Sequence, residues 1–350
     1  MSFLHSSPRP TDGNTTPVSN YTFIDNSTST SAFGPDADFL DKITANDITS
    51  RANYVYSFLS ALGFVAACFL VYGFVLAFRA QRRVAWLDCL LWAFCVLQLL
   101  LLLLSLYAVA HRPHYLRTTG LGCAALSFTI NTVFTSSLLV LVLLAYVLSM
   151  DPPSNALLRK PGVCAALVLL SSVLISLMLA GIGGPRQEDR CFMDPVCLPY
   201  AVAKLLLAIL VPYIIQMALL IAGCVRQWKT RGRFLSGSEE GPVFVTVSLI
   251  LFICGLFYSV VLMRAALLQK ENELSPKEEA FLNVFEFVFF SGSSFSLVLV
   301  LLLHRPCRET LKAVIRQMQD CCKRPGQAQT NRNIIAPTIE ISDTLQDIEP

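Results

Sequence analysis

Leu99-Leu100-Leu101-Leu102-Leu103-Leu104 and Leu297-Val298-Leu299-Val300-Leu301-Leu302-Leu303 decide the fold of this chain. Alone, either run would suit a buried helix of a water-soluble protein. Each, however, lies inside a longer apolar stretch, and five more such stretches occur. The approximate limits are Tyr54–Phe78, Val84–Ala110, Cys123–Met150, Val163–Ile182, Leu198–Val225, Val243–Ala266 and Phe281–Leu303. Each is near the roughly 20 residues that carry a helix across about 30 Å of hydrocarbon. Seven in series leave too little chain to cover them with protein, so the expected architecture is an all-α, seven-transmembrane helix bundle.

Composition agrees with that reading. Of 350 residues, 54% are hydrophobic and only 15% charged, and the mean hydropathy is +0.58, values foreign to a soluble domain. The 27 basic and 24 acidic side chains leave a net charge of +3. With no long basic cluster, nucleic-acid binding is excluded as a main function. Most of the twelve Cys, among them Cys68, Cys95, Cys164, Cys224 and Cys254, sit inside apolar runs, where a thiol acts as a small hydrophobe, so they do not form a secreted disulfide framework.

Residues 1–53 are rich in Ser, Thr, Asn, Pro and Asp and read as a disordered tail that cannot bury enough surface to offset its ordering entropy. The start has neither the basic region nor the apolar core of a signal peptide, which leaves translocation to the first span. Three sequons, at Asn14, Asn20 and Asn26, fall in this tail and nowhere else; glycosylation there requires a lumenal tail. Basic residues give the same orientation. Arg79, Arg82, Arg83, Arg159, Lys160, Arg226, Lys229, Arg231, Arg233, Arg305, Arg308, Lys312 and Arg316 fall on one side, and fewer fall on the other. By the positive-inside rule the tail is outside and the carboxyl end cytosolic.

After the seventh span, Arg308, Lys312 and Arg316 share one helical face, while Leu311, Val314, Ile315 and Met318 share the other. Residues 304–322 therefore read as an amphipathic eighth helix on the inner leaflet, with membrane lipid as its partner. Cys321 and Cys322 end it as candidate palmitoylation sites, beside the basic pair Lys323-Arg324. Residues 323–350 are polar and read as a disordered cytosolic tail.

Seven spans (54–303), a sequon-bearing outer tail, an inner amphipathic helix and a following Cys pair resemble a rhodopsin-like (class A) G-protein-coupled receptor of orphan type. The resemblance implies a disulfide from Cys123, at the outer end of the third span, to the second outer loop, where Cys191 and Cys197 are both available; Cys191 is the favoured partner. It also matches Pro212 to that family's fifth-span proline, which frees a carbonyl and bulges the helix.

The departures concern the switching parts. The first span has no mid-helix Asn, and Asp88 stands too near the start of the second to be the family's sodium-site aspartate. Ser149-Met150-Asp151-Pro152-Pro153 occupies the place of Asp-Arg-Tyr, and the fourth span has no Trp. Cys254-Gly255-Leu256-Phe257 lacks the Trp and Pro of Cys-Trp-x-Pro, and Ser296-Leu297-Val298-Leu299-Val300 replaces Asn-Pro-x-x-Tyr.

Charges inside spans are costly, so each needs a reason. Lys204, Arg264 and Glu286 lie toward the outer ends of the fifth, sixth and seventh spans. They are candidate ligand-binding residues, the cations for an anionic group and Glu286 for a cationic one. The same residues also suit snorkelling or pairing with one another. Asn131 and Thr135, four apart on the third span, add candidate hydrogen bonds to the same cavity or to helix packing. No catalytic motif appears, and the four His (His5, His111, His114, His304) do not converge on one helix face. No enzyme activity, cofactor or metal is therefore expected; His111 and His114 alone make a poor metal site.

The expectation is a plasma-membrane receptor for an extracellular ligand, with a heterotrimeric G protein as a partner and weak or atypical coupling. A non-signalling seven-span transporter, channel or trafficking protein is the alternative. The lack of Gly/Pro-interrupted spans in corresponding halves favours the receptor.

Overall fold

The computed structural model describes residues 37–80, 86–110, 120–149, 161–184, 193–231, 241–271 and 274–323. The sequons at Asn14, Asn20 and Asn26, the loop cysteine Cys191, the His111/His114 pair, Asp151-Pro152-Pro153, Arg233 and residues 324–350 lie outside them. The described residues form helices and no strand. These are α1 (Ala37–Ala80), α2 (Trp86–Ala110), α3 (Gly120–Ser149) and α4 (Pro161–Gly183), then α5, α6 (Gly241–Lys270), α7 (Pro276–Leu303) and α8 (Arg305–Lys323). Helix α5 is continuous but changes pitch: Leu198–Ala203 is α-helical, Lys204–Leu210 a π-helix and Val211–Arg231 α-helical again. The first seven are each long and apolar enough to cross a membrane.

Local chemistry explains the ends. Ser275 caps α7 by accepting from the Glu278 N–H at 3.3 Å, with Pro276 in the first turn where no N–H is needed and Glu278 and Glu279 beside the positive end of the helix dipole. Helix α7 stops at His304, whose backbone is extended, and α8 restarts at once with Pro306 in its first turn. In α5, Pro212 has no N–H to return to the preceding turn, and the π-helical stretch ends at Leu210, two residues before it.

The first helix begins seventeen residues ahead of Tyr54, so residues 37–53, expected as tail, are helical. Two causes are visible. No Gly or Pro interrupts the chain from Ala37 to Leu62, and the extension is fastened to α7, with Asp41 paired to Lys277 at 2.7 Å and Ala45 buried.

The seven helices close into a ring in chain order, α1 packing on α7, with α3 passing through the middle against α2, α4, α5 and α6. Helices α3 and α7 are the most enclosed, while α4 and α5 turn most of their surface outward. Glycines set two of the closest approaches. A Cβ on Gly63 of α1 would stand 2.7 Å from the Cβ of Ser294 on α7, and one on Gly223 of α5 would stand 2.9 Å from the Cα of Ser149 on α3. The second contact is welded by polar groups: the Ser149 hydroxyl lies 2.7 Å from the Leu219 carbonyl, and Gln216 Nε2 donates to the Leu138 carbonyl at 3.2 Å. Below, "upper" denotes the end that carries the start of α1, and "lower" the end that carries α8.

Candidate functional site

In the upper half of the bundle, Met193–Cys197 is a short non-helical segment that leads into α5. Its shape is set by a Cys197 N–H to Pro195 carbonyl bond of 2.9 Å, and Cys197 is the extended N-cap residue of the helix. Pro195 rests on Gly183, where a Cβ would come within 2.9 Å of its ring. The segment thereby turns Asp194 inward, to 2% exposure.

Asp194 is surrounded by donors. Lys204 Nζ meets Oδ2 at 2.5 Å, and the Tyr258 hydroxyl donates to the same oxygen at 2.7 Å. The Tyr200 hydroxyl donates to Oδ1, and Asn131 Nδ2 reaches that oxygen at 3.2 Å while also lying 3.1 Å from the Tyr200 oxygen. Lys204 has no exposure; its ammonium lies 5.1 Å from the Tyr258 ring centroid and 5.4 Å from that of Phe289. Two aromatic faces thus supplement the carboxylate as replacement for water. Asn131 is eleven residues into α3, about 16 Å along its axis at about 1.5 Å per residue, so the carboxylate is held roughly three turns below the helix start.

Electrostatics favour the charged form of Asp194. Burial pushes its carboxyl upward, but the Lys204 ammonium and the Tyr200 and Tyr258 hydroxyls outweigh that and hold it below the ordinary carboxylate range. Lys204 stands where the helix widens from α to π. Its backbone N–H reaches the carbonyls of Ala201 and Tyr200, in a stretch whose altered pitch rotates successive side chains.

The other candidate residues are distributed differently. Glu286 is buried on α7, one turn above Phe289, and acts electrostatically on Tyr258. Thr135 is fully buried one turn below Asn131, its hydroxyl without a hydrogen-bond partner among the described residues. Arg264 does not enter the cluster: it lies at the upper rim, largely exposed, and forms a 2.8 Å pair with Glu278. Cys123 is disulfide-bonded and Cys197 is a free thiol. Cys321 and Cys322 fall in the last turn of α8.

A second buried cluster occupies the lower end, where α7 turns into α8. The His304 ring stacks on Phe74 at 5.6 Å. Its Nδ1 is 3.3 Å from Cys307 Sγ and its Nε2 is 3.7 Å from Asp88 Oδ1. Burial, then the Asp88 carboxylate, pushes the Cys307 thiol up to about 12. It is a packed, buried thiol that burial and the neighbouring carboxylate keep protonated.

Fold and site together define a polytopic membrane protein: seven spanning-length helices with a buried ion pair whose carboxylate accepts from four side chains. No known protein family matches the chain, and no curated protein matches it.

Proposed function

We infer that the chain is a seven-span receptor of rhodopsin-like helix order, with its tail outside the plasma membrane and α8 on the cytosolic leaflet. It receives an extracellular ligand at the upper end and couples weakly or atypically to heterotrimeric G proteins. The observation that carries the reading is the position of Asp194, a loop side chain gripped about three turns deep by α3, α5 and α6 at once. A group at that point touches the helices whose relative positions a receptor must shift, and a ligand acts only through different contacts in the two states.

Three further features support it. The disulfide of Cys123, with Cys197 free, fits a strap from the top of α3 to Cys191. Cys321 and Cys322, in the last turn of the amphipathic α8, suit acylation by chains that enter the bilayer. Tail sequons at Asn14, Asn20 and Asn26 fit an outside tail. Weak coupling follows from the lower end, where Ser149 takes the region of the missing Arg and the Ser149–Leu219 and Gln216–Leu138 bonds tie α3 to α5.

The test is nucleotide exchange on a panel of G proteins with the chain in lipid vesicles. Weak exchange is expected, abolished when Arg226, Lys229, Arg231 and Arg233 are all replaced by Ala. Robust exchange that survives the quadruple change would refute atypical coupling. No exchange on any G protein would favour a non-signalling transporter, channel or trafficking protein.

A further inference from the structure

The ion-pair cluster has an asymmetry that a structural salt bridge does not require. Every donor is carried by a helix: Asn131 by α3, Tyr200 and Lys204 by α5, and Tyr258 by α6. The one acceptor they share is carried by the non-helical segment Met193–Cys197. The four donors divide evenly between the two oxygens, Tyr200 and Asn131 on Oδ1 and Lys204 and Tyr258 on Oδ2. One positive charge answers one negative charge, and neutral donors take much of the remaining lone-pair capacity. Such a set recognises a carboxylate group as such, whatever carries it. Three of the four donors are also braced by contacts outside the loop. Asn131 Nδ2 is bonded to the Ser127 carbonyl at 3.0 Å, the Tyr258 ring packs on Phe289 at 5.1 Å, and Lys204 lies against both of those rings.

We propose that this cluster is a carboxylate-binding site whose resident occupant is the chain's own Asp194, and that its external ligand class is a small carboxylic acid entering in Asp194's place. The tether explains why the site is closed at rest. A short segment presents its carboxylate at an effective concentration of millimolar or above, so weakly binding free acids are excluded. An acid that also contacts the neighbouring aromatic rings gains over Asp194 and releases the loop. This specifies the ligand of the receptor reading and rests on it, but the binding step can be tested without signalling.

The experiment uses full-length purified chain in lipid nanodiscs and reads the thermal unfolding midpoint. Asp194→Gly deletes a side chain that acetate reproduces. The midpoint should fall, and sodium acetate at about 100 mM should recover at least half of the loss by binding the folded state, while equimolar sodium chloride or acetamide should not. Asp194→Asn, which keeps the position filled, should show no acetate recovery, nor should Asp194→Gly combined with Lys204→Met. If Asp194→Gly does not fold unaided, the readout becomes the yield of folded protein prepared in acetate against chloride, with an excess in acetate expected. Acetate no better than chloride, in either format, overturns the proposal, as does equal recovery of Asp194→Asn, which would place acetate elsewhere. Acetate recovery together with silent nucleotide exchange would retain the site and fail the receptor reading; the reverse result would fail only the site.

Discussion

Two buried ionisable clusters sit at opposite ends of the bundle, and they are built differently. At the upper end Asp194 and Lys204 are both fully enclosed, 2.5 Å apart, with further donors on the carboxylate. At the lower end Asp88 is partly exposed and 3.7 Å from His304, a group charged only when protonated. The upper cluster joins a loop to α5 through an ion pair and to α3 and α6 through neutral hydrogen-bond donors. The lower one lines a bend between two helices, and its main attachment is ring stacking on Phe74. The contrast separates a lock from a hinge. Breaking the first leaves a naked charge in low dielectric, whereas breaking the second mostly loses packing.

The largest expected effect is therefore at the lock. Asp194→Ala should destabilise the protein by about 3–5 kcal/mol, because it strands the Lys204 ammonium, read by denaturant or thermal unfolding in a mild detergent. A loss below about 1 kcal/mol would mean that water reaches the pair. The pH dependence shares this origin. The Asp194 carboxyl is held below its unfolded value of 3.8, so its contribution is intact above that value and is lost as pH falls through the lower folded one. The lock's contribution to the midpoint should be flat from neutral pH to about 5 and decline only below about 4, and this acid-dependent part should vanish in Asp194→Asn.

Tyr258→Phe should cost less, about 1.5–3 kcal/mol for one hydrogen bond to a charged group, with the ring contacts to Lys204 and Phe289 retained. Gly63→Ala tests the helix contact that depends on a missing Cβ. Because Ser294 backbone stands 2.8 Å from the added atom, α1 must move off α7, at an expected cost of about 1–3 kcal/mol. The smallest effect belongs to the hinge. His304→Phe keeps a ring on Phe74 and should change stability by at most about 1 kcal/mol; a loss as large as that of Asp194→Ala would erase the distinction between the two ends.

The seven spans were legible because length and apolarity are carried by the chain itself; Leu99–Leu104 and Leu297–Val300 sit inside α2 and α7 as read. The helical start of α1 was not, since residues 37–53 are polar enough to resemble tail and their helix depends on the distant partner Lys277. The sequence offers Lys204 and Asn131 separately, the first grouped with Arg264 and Glu286 and the second with Thr135, and the structure brings both onto one carboxylate. Their common partner Asp194 was missed because a residue before a span reads as solvent-exposed loop. Lys204 itself is the available signal: an ammonium inside a span needs a counter-charge, and the nearest acids along the chain lie in the loop just before it. The sequence groups Arg264 with Lys204 because both stand on the outer face, but α6 extends beyond Arg264 to Lys270, and Glu278 at the rim pairs with it. The lower cluster was invisible for a related reason. His304 marks the boundary of an apolar run, and only the turn from α7 to α8 brings it to Asp88.

The most direct test of the lock is a double-mutant cycle on Asp194 and Lys204, using Asp194→Asn, Lys204→Met and the pair, measured as unfolding free energies in the same detergent. Strong coupling of about 2–3 kcal/mol is expected, with the double variant no less stable than the worse single one, because removing both partners leaves no stranded charge. Single losses that simply add, within about 0.5 kcal/mol, would show that the two groups do not hold each other and would contradict the lock.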